Sequence, residues 1–488
     1  MKKNFMKICS LVIAVAFTSA SFIFAETVQT EDLSFEEPVS SPETAGVKKP
    51  VDIDETEFTK ISLFDKPLFF ILEVQFSSEF MGNYELSGNA SDDIVEVEPA
   101  LNAALLYQLG ENISIFLENE IQFKGEFFLE TDESRKQWVF ERIESWILFS
   151  DIAGSRISLQ VGRQKYEDER QWWWDAEFDS VRLHYNTEGI HSEIAVAQEI
   201  GAESTETDVW GPENKNLLRI LSQTTWGDEE TSRYAIFGLY QDDHSHRPRA
   251  GDLIRPFDED ELDADLFWYG ARAMGDIETE RMGDFAWWLD MAGIVGKETL
   301  FEFEETEDGD SEVAEIVERN VAGWGYDAGI IWETGSFNDM TLSLGYAWGS
   351  GDRDPEDDKN RSFRQTGFNE GDQRFQYYGE LLNPDLSNLQ IITASIGFPI
   401  GENGFIDFIY HGYRQDHPAD FLWESDLEID PEGHQKVIGE ELDIAFTFEK
   451  ENHLEIESST AFFKAGNAFG DLSGNTAYRI KFEINWLF

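Results

Sequence analysis

The sequence predicts an all-β protein: a transmembrane antiparallel β-barrel preceded by an export signal and an acidic tether. Three observations carry this reading. Hydrophobic residues alternate with period two along most of the chain, the start is basic and then apolar, and the last segment ends on an in-register aromatic residue. Composition narrows the function classes. The 488 residues hold 37 Lys plus Arg against 98 Asp plus Glu, a formal charge of −61. Phosphate neutralisation needs a Lys/Arg surplus, so no nucleic-acid partner is expected. An aromatic content of 14% with only 13 prolines does not fit a solvated disordered chain. A single cysteine, Cys9, leaves no disulfide framework and no Cys-based zinc site.

In chain order, Lys2, Lys3 and Lys7 precede the mostly apolar run Ile8 to Phe24, with Ala25 before Glu26. This is the plan of a secretory signal peptide spanning residues 1–25. Residues 26–60 carry ten acids and three lysines, 3 − 10 = −7. Their Pro/Ser/Thr content and lack of periodicity predict a disordered tether. The barrel is expected over residues 61–488, with no later apolar run of about 18 residues to form a membrane helix.

Within the barrel, Met340, Leu342, Leu344, Tyr346 and Trp348 alternate with small or polar residues. Ile157, Leu159 and Val161, then Val181, Leu183 and Tyr185, behave likewise, as do Phe285 to Met291 and Leu442 to Phe448. Strands place successive side chains on opposite faces, so each segment has one apolar face. A soluble sandwich alternates too, and the C-terminus discriminates. Tyr478, Ile480, Phe482, Ile484, Trp486 and Phe488 form one face of the last segment, and such an ending resembles the assembly signal of outer-membrane barrels. In lipid every backbone group needs a partner, so the last strand must pair with the first. The 15 Trp and 39 Phe supply aromatic girdles. At about 9–11 residues per strand, the length accommodates 14–18 strands.

Several blocks, in order, carry a family likeness. Gly162-Arg163-Gln164-Lys165 leads to Asp168 and Arg170; Gly349-Ser350-Gly351-Asp352 precedes Phe363-Arg364-Gln365-Thr366-Gly367. Gly379-Glu380-Leu381, Leu386-Ser387-Asn388-Leu389 and Gly439-Glu440-Glu441-Leu442-Asp443 follow. In this order they resemble the alginate export family of bacterial outer-membrane β-barrels. The resemblance implies 18 strands, a cell outer membrane location and passage of a polyuronate through a basic lumen gated by loops. Partners implied are outer-membrane lipid, an anionic or neutral polysaccharide, the barrel-assembly machinery and periplasmic export proteins, with no cofactor.

Charge departs from that pattern. Residues 61–488 carry −57, of which four segments read as acidic loops (252–265, 298–318, 352–358 and 416–432) hold 2 − 29 = −27. About −30 remains elsewhere, against a basic pore that attracts a polyanion. Candidate substrate-binding residues are Arg163, Arg170, Arg182, Arg364, Arg374, Arg479 and Lys481. Alternation turns Arg182, His184, Arg479 and Lys481 inward. It puts Arg163 with the apolar face unless a bulge near Gly162 shifts the register. Arg170, Arg361, Arg364 and Arg374 fall in segments that resemble the family's loops, where they either bind sugar carboxylates or pair with nearby acids such as Asp168, Glu169 and Glu370. Trp172, Trp173 and Trp174 read as an interfacial girdle in preference to a sugar-stacking platform. The acids of Asp352 to Asp358 are solvated or hold Ca²⁺. His244 and His246 share a strand face but need further ligands to bind a metal. No Gly-x-Ser-x-Gly elbow or His-Glu-x-x-His helix occurs among the sequence motifs. A channel is therefore expected, with a general porin, a barrel enzyme and a closed structural barrel as the alternatives.

Overall fold

The computed structural model describes residues 59–488 except 89–92, 130–133, 203, 206–216, 229–230, 244–247, 256–258, 261, 280–281, 307–310, 336–338, 356, 368–377 and 451–452. The signal peptide and almost all of the tether lie outside the described residues. Thr59 and Lys60, assigned to the tether from sequence, instead begin a short strand, Thr59–Leu63, that folds back on Lys66–Phe70.

Eighteen strands form the wall. They are β1 (Lys66–Gly82), β2 (Ile94–Gly110), β3 (Ile113–Phe128), β4 (Ser134–Phe149), β5 (Ile157–Glu167) and β6 (Asp175–Thr187). Then come β7 (Ile190–Ala197), β8 (Leu217–Asp228), β9 (Ser232–Asp243), β10 (Leu262–Ile277), β11 (Asp284–Glu305) and β12 (Ser311–Glu333). The last six are β13 (Thr341–Gly349), β14 (Leu389–Ile400), β15 (Gly404–Gln415), β16 (Val437–Lys450), β17 (Leu454–Ala465) and β18 (Thr476–Leu487). Each pairs antiparallel with its chain neighbour, and β18 closes on β1 from Glu73↔Leu487 to Gly82↔Tyr478. Phe488 donates its N–H to the Leu72 carbonyl at 2.9 Å. The terminal aromatic thus completes the closing seam.

Short turns and the C-terminus share one end, which is the periplasmic end by the usual barrel asymmetry; the long loops share the other. The outward parity is apolar and exposed, as at Leu101, Leu117, Ile121, Val181, Ile236 and Ile330. Two aromatic belts flank it. Near the short turns Phe285 stacks on Trp332 at 5.8 Å and Trp486 on Phe488 at 5.2 Å. Toward the long loops Phe267 stacks on Tyr269 at 6.0 Å and Trp324 on Tyr326 at 6.2 Å. The acidic segment 298–318, read as a loop, is largely strand: β11 and β12 run on to a tip near residue 306, with a register shift between Glu302 and Phe303. Likewise the segment 252–265 ends inside β10.

One hairpin leaves the wall. β5 pairs with β6 over Ile157–Glu167, yet with β4 only over Leu159–Arg163, while β6 pairs with β7 only from Ser180 onward. Beyond Arg163 the hairpin is therefore paired only with itself, and its turn is buried among lumen residues. Gly162 has φ 131°, and a Cβ there would lie 2.1 Å from the Ser145 carbonyl oxygen, so only glycine fits. Residues 198–202 with Ser204 and Thr205 bond beside the departure point. Gln198 and Ile200 donate to Asp179 (3.0 and 3.1 Å), and Thr205 donates to the Phe140 carbonyl at 3.1 Å.

Candidate functional site

The hairpin turn is built around Asp168. Its carboxylate accepts the N–H groups of Arg170 (3.0 Å), Trp173 (2.6 Å) and Trp174 (3.1 Å), which sets the turn's shape. That turn presents Arg170 to the wall, where it pairs with Asp290 of β11 and, at 3.4 Å, with Asp327 of β12. Arg272 of β10 bridges Asp168 and Asp290, the latter at 2.5 Å. Asp290 and Asp327 face each other across β11 and β12, and the Trp288 indole N–H donates to Asp327 at 2.7 Å. Two guanidiniums and three carboxylates are thus interleaved in a desolvated space. Each charge has an opposite partner, without which its burial would be prohibitive.

Two described stretches before β14, 357–367 and 378–388, lock onto the hairpin turn. The Gln365 amide donates to the Trp172 carbonyl at 3.2 Å, Thr366 donates to that of Trp173, and Phe363 stacks on Trp172 at 6.2 Å. The Trp172 indole N–H donates to the Tyr378 hydroxyl at 2.6 Å, and Tyr378 donates to Asp327 at 2.9 Å. Burial pushes the Tyr378 hydroxyl well above its ordinary pKa. Glu441 of β16 accepts the N–H groups of Leu381 (2.7 Å) and Leu382 (3.1 Å), tying the second stretch to the far wall. Burial raises Asp385 to about 7, against the hydrogen bond it accepts from the Gln365 N–H. The three tryptophans are therefore not an interfacial girdle. They are 2%, 1% and 1% exposed and belong to the apolar filling of the lumen.

The inward parity of β1–β3 and β17–β18 is different. Glu73, Glu96, Glu98, Glu118, Glu120 and Glu457 are half-buried there. Cross-strand amides confirm their shared face: Asn102 donates to Glu118 at 2.9 Å, and Gln75 to Glu483 at 2.9 Å. This sector of the wall offers water-accessible carboxylates where the remainder offers packed side chains.

The sequence-predicted arginines distribute unevenly. Arg182 faces inward, bonded to Glu193 at 3.1 and 2.5 Å and stacked over Tyr166 at 4.4 Å. Arg479 faces inward, held by Glu79 at 2.5 Å and Asp426 at 2.8 Å, and donates to the Glu380 carbonyl. Burial pushes Asp426 up to about 6, with Arg479 opposing. Lys481, the most exposed, lies 3.5 Å from Glu483. Arg170 and Arg364 are buried but pair with remote acids rather than sequence neighbours; for Arg364 it is Glu298, at 2.6 Å. Arg374 lies outside the described residues. Arg163 corrects the expectation most. No register shift occurs at Gly162, and Arg163 stays on the outer parity. The bulge lies one strand over, between Glu118 and Asn119, and leaves Ile143 of β4 unpaired. Arg163 donates to that Ile143 carbonyl at 3.1 Å. It joins the wall and does not line the lumen. Asp352 and Asp357 hold Arg361 at 3.1 and 2.7 Å, so these two acids pair with an arginine. His244 and His246 are outside the described residues. Arg272, Asp290 and Asp327 went unnoticed in the sequence. Each interrupts an apolar alternation on its polar parity, the same signal that picks out Arg182.

A closed, aromatic-belted barrel with loops folded into a polar lumen defines a class: an outer-membrane channel protein. The chain belongs to the alginate export family, whose sequence pattern matches residues 70–482. It is similar to the alginate production protein AlgE of Pseudomonas aeruginosa, at 24% identity over 71% of this chain and 74% of that protein. AlgE of Pseudomonas syringae pv. tomato is 18% identical over 68% of this chain and 71% of that protein. The fold resembles the outer membrane protein opdK of P. aeruginosa (TM-score 0.51, 8% identity, 86% of this chain and 98% of that one). It also resembles OccAB1 of Acinetobacter baumannii (TM-score 0.51, 9% identity, 89% and 99%).

Proposed function

We propose that this channel exports a hydrophilic polysaccharide that is neutral or only weakly charged, along the glutamate-lined sector of its wall. The alternating carboxylates of β1–β3 carry the reading. A polyuronate passing them would meet like charge in a confined lumen, where screening is weaker than in bulk water. Arg170, Arg182, Arg364 and Arg479 support it too, because each is already paired with a wall or loop carboxylate and offers little unneutralised positive charge. The chain acts as a passage without catalysis, a reading that its membership of the alginate export family supports. Residues 1–25 direct export, residues 26–58 form the acidic tether, and the β18 end with Phe488 is read by the barrel-assembly machinery. Planar bilayers test the proposal through reversal potentials in a salt gradient and block of current by added glycans. Cation preference, with block by a neutral glycan and weak block by polyuronate, is expected. Strong anion selectivity with polyuronate block would overturn it and return the channel to a basic-pore mechanism.

A further inference from the structure

We propose that His184, His191 and Glu193 form a binding site for a divalent transition-metal ion of the zinc class on the lumen wall near the short-turn end. The β6–β7 hairpin supplies the geometry. His184 lies directly opposite Glu193 and Asn186 opposite His191, all on the inward parity. The His191 Nε2 lies 3.2 Å from Glu193 Oε2, and the His184 Nδ1 lies 3.8 Å from the same oxygen. One ligand atom from each residue falls within 4.8 Å of the others. Zinc-to-ligand distances near 2.0–2.2 Å require only a modest closing of these side chains.

The outer contacts point the same way. His184 Nε2 meets Gln160 Oε1 at 3.2 Å, and His191 Nδ1 meets Asn186 Oδ1. An amide oxygen only accepts, so in a neutral imidazole these far nitrogens hold the proton. The near nitrogens then direct lone pairs toward Glu193, the arrangement in which protein metal sites orient histidine through a second hydrogen bond. His184 is fully buried, and its Nδ1 has no hydrogen-bond partner among the described residues. Two lone pairs and a carboxylate converge where a cation resolves the mutual repulsion. Arg182 occupies Glu193 Oε2, but a carboxylate has two oxygens and about four acceptor positions, so it does not saturate the ligand.

The competing arrangement is a purely structural cluster in which protonated imidazoles pair with Glu193. Titrating zinc chloride into tag-free, full-length barrel in detergent, followed by calorimetry and thermal unfolding, separates the two. The metal site predicts saturable one-to-one binding and a raised unfolding temperature. His191→Gln and Glu193→Gln should abolish both, and Asn186→Ala should weaken binding by about 10–100-fold. His191 is partly exposed, so its variant keeps the barrel folded, which circular dichroism verifies. No saturable binding, or binding retained in both His191→Gln and Glu193→Gln, would overturn the site. A His191→Gln variant that lowers stability equally with and without zinc would overturn it as well.

Discussion

The plugged side of the lumen and the glutamate-lined side are built from the same alternation but solve opposite problems. Around β10–β12, Arg170 and Arg272 interleave with Asp168, Asp290 and Asp327, nearly all of them excluded from water. Along β1–β3, glutamates outnumber nearby bases and remain half-buried. A charge stays ionised when paired in a dry space or hydrated in a wet one. The first arrangement fixes the hairpin turn, and with it Phe363 to Thr366 and Tyr378, in place. The second leaves a hydrated wall whose charge selects what passes. Plug rigidity and pore selectivity are therefore assigned to separate residues, and substitutions should separate them.

Asp290→Ala should have the largest effect. It leaves Arg170 and Arg272 buried with fewer acids, a loss of about 3–5 kcal/mol by analogy with other broken buried pairs. Hydrogen exchange at residues 168–174 should accelerate and single-channel conductance should rise. Unchanged protection of the turn would show that Asp290 does not hold the plug.

The next effect is on pH. Asp385 and Asp426 have folded pKa values raised by burial, to about 7 and about 6, above their unfolded values. The folded loops hold these protons longer than the unfolded chain does. Their contribution is fully present below about pH 4 and is lost as pH rises through 6 and then 7. Intrinsic-rate-corrected exchange of amides 378–388 should therefore quicken across that window. Asp385→Asn should flatten the upper part of the profile, and a profile that remains steep would place the titration elsewhere.

Glu98→Gln combined with Glu118→Gln sharpens the other side of the comparison. Stability should move by only about 0.5 kcal/mol, as for solvated positions, while reversal potentials lose part of their cation preference. If selectivity is unmoved, the conduit does not run along β2 and β3.

Lys481→Glu is the mildest test. Its partner Glu483 lies 3.5 Å away and the side chain is 42% exposed, so the pair contributes at most about 1 kcal/mol. A small increase in cation preference with normal thermal unfolding is expected. A large stability loss would mark Lys481 as a wall-holding residue.

The sequence by itself determined the barrel, its closing strand, the inward parity of Arg182, Arg479 and Lys481, and the excess of acid over base. These follow from period-two alternation and from charge counts, which are local or additive properties. Only the tertiary structure decided that Trp172, Trp173 and Trp174 fill the lumen instead of girdling the wall. It also decided that Arg163 seals a joint at the bulged Ile143, and that Arg170 meets Asp290 and Asp327, 120 and 157 positions away. Strand parity says which face a side chain takes but not where a hairpin departs from the sheet. That departure depends on how far β4 and β7 pair with the hairpin and on which remote carboxylates can neutralise a buried guanidinium, and neither is encoded in nearest-neighbour spacing.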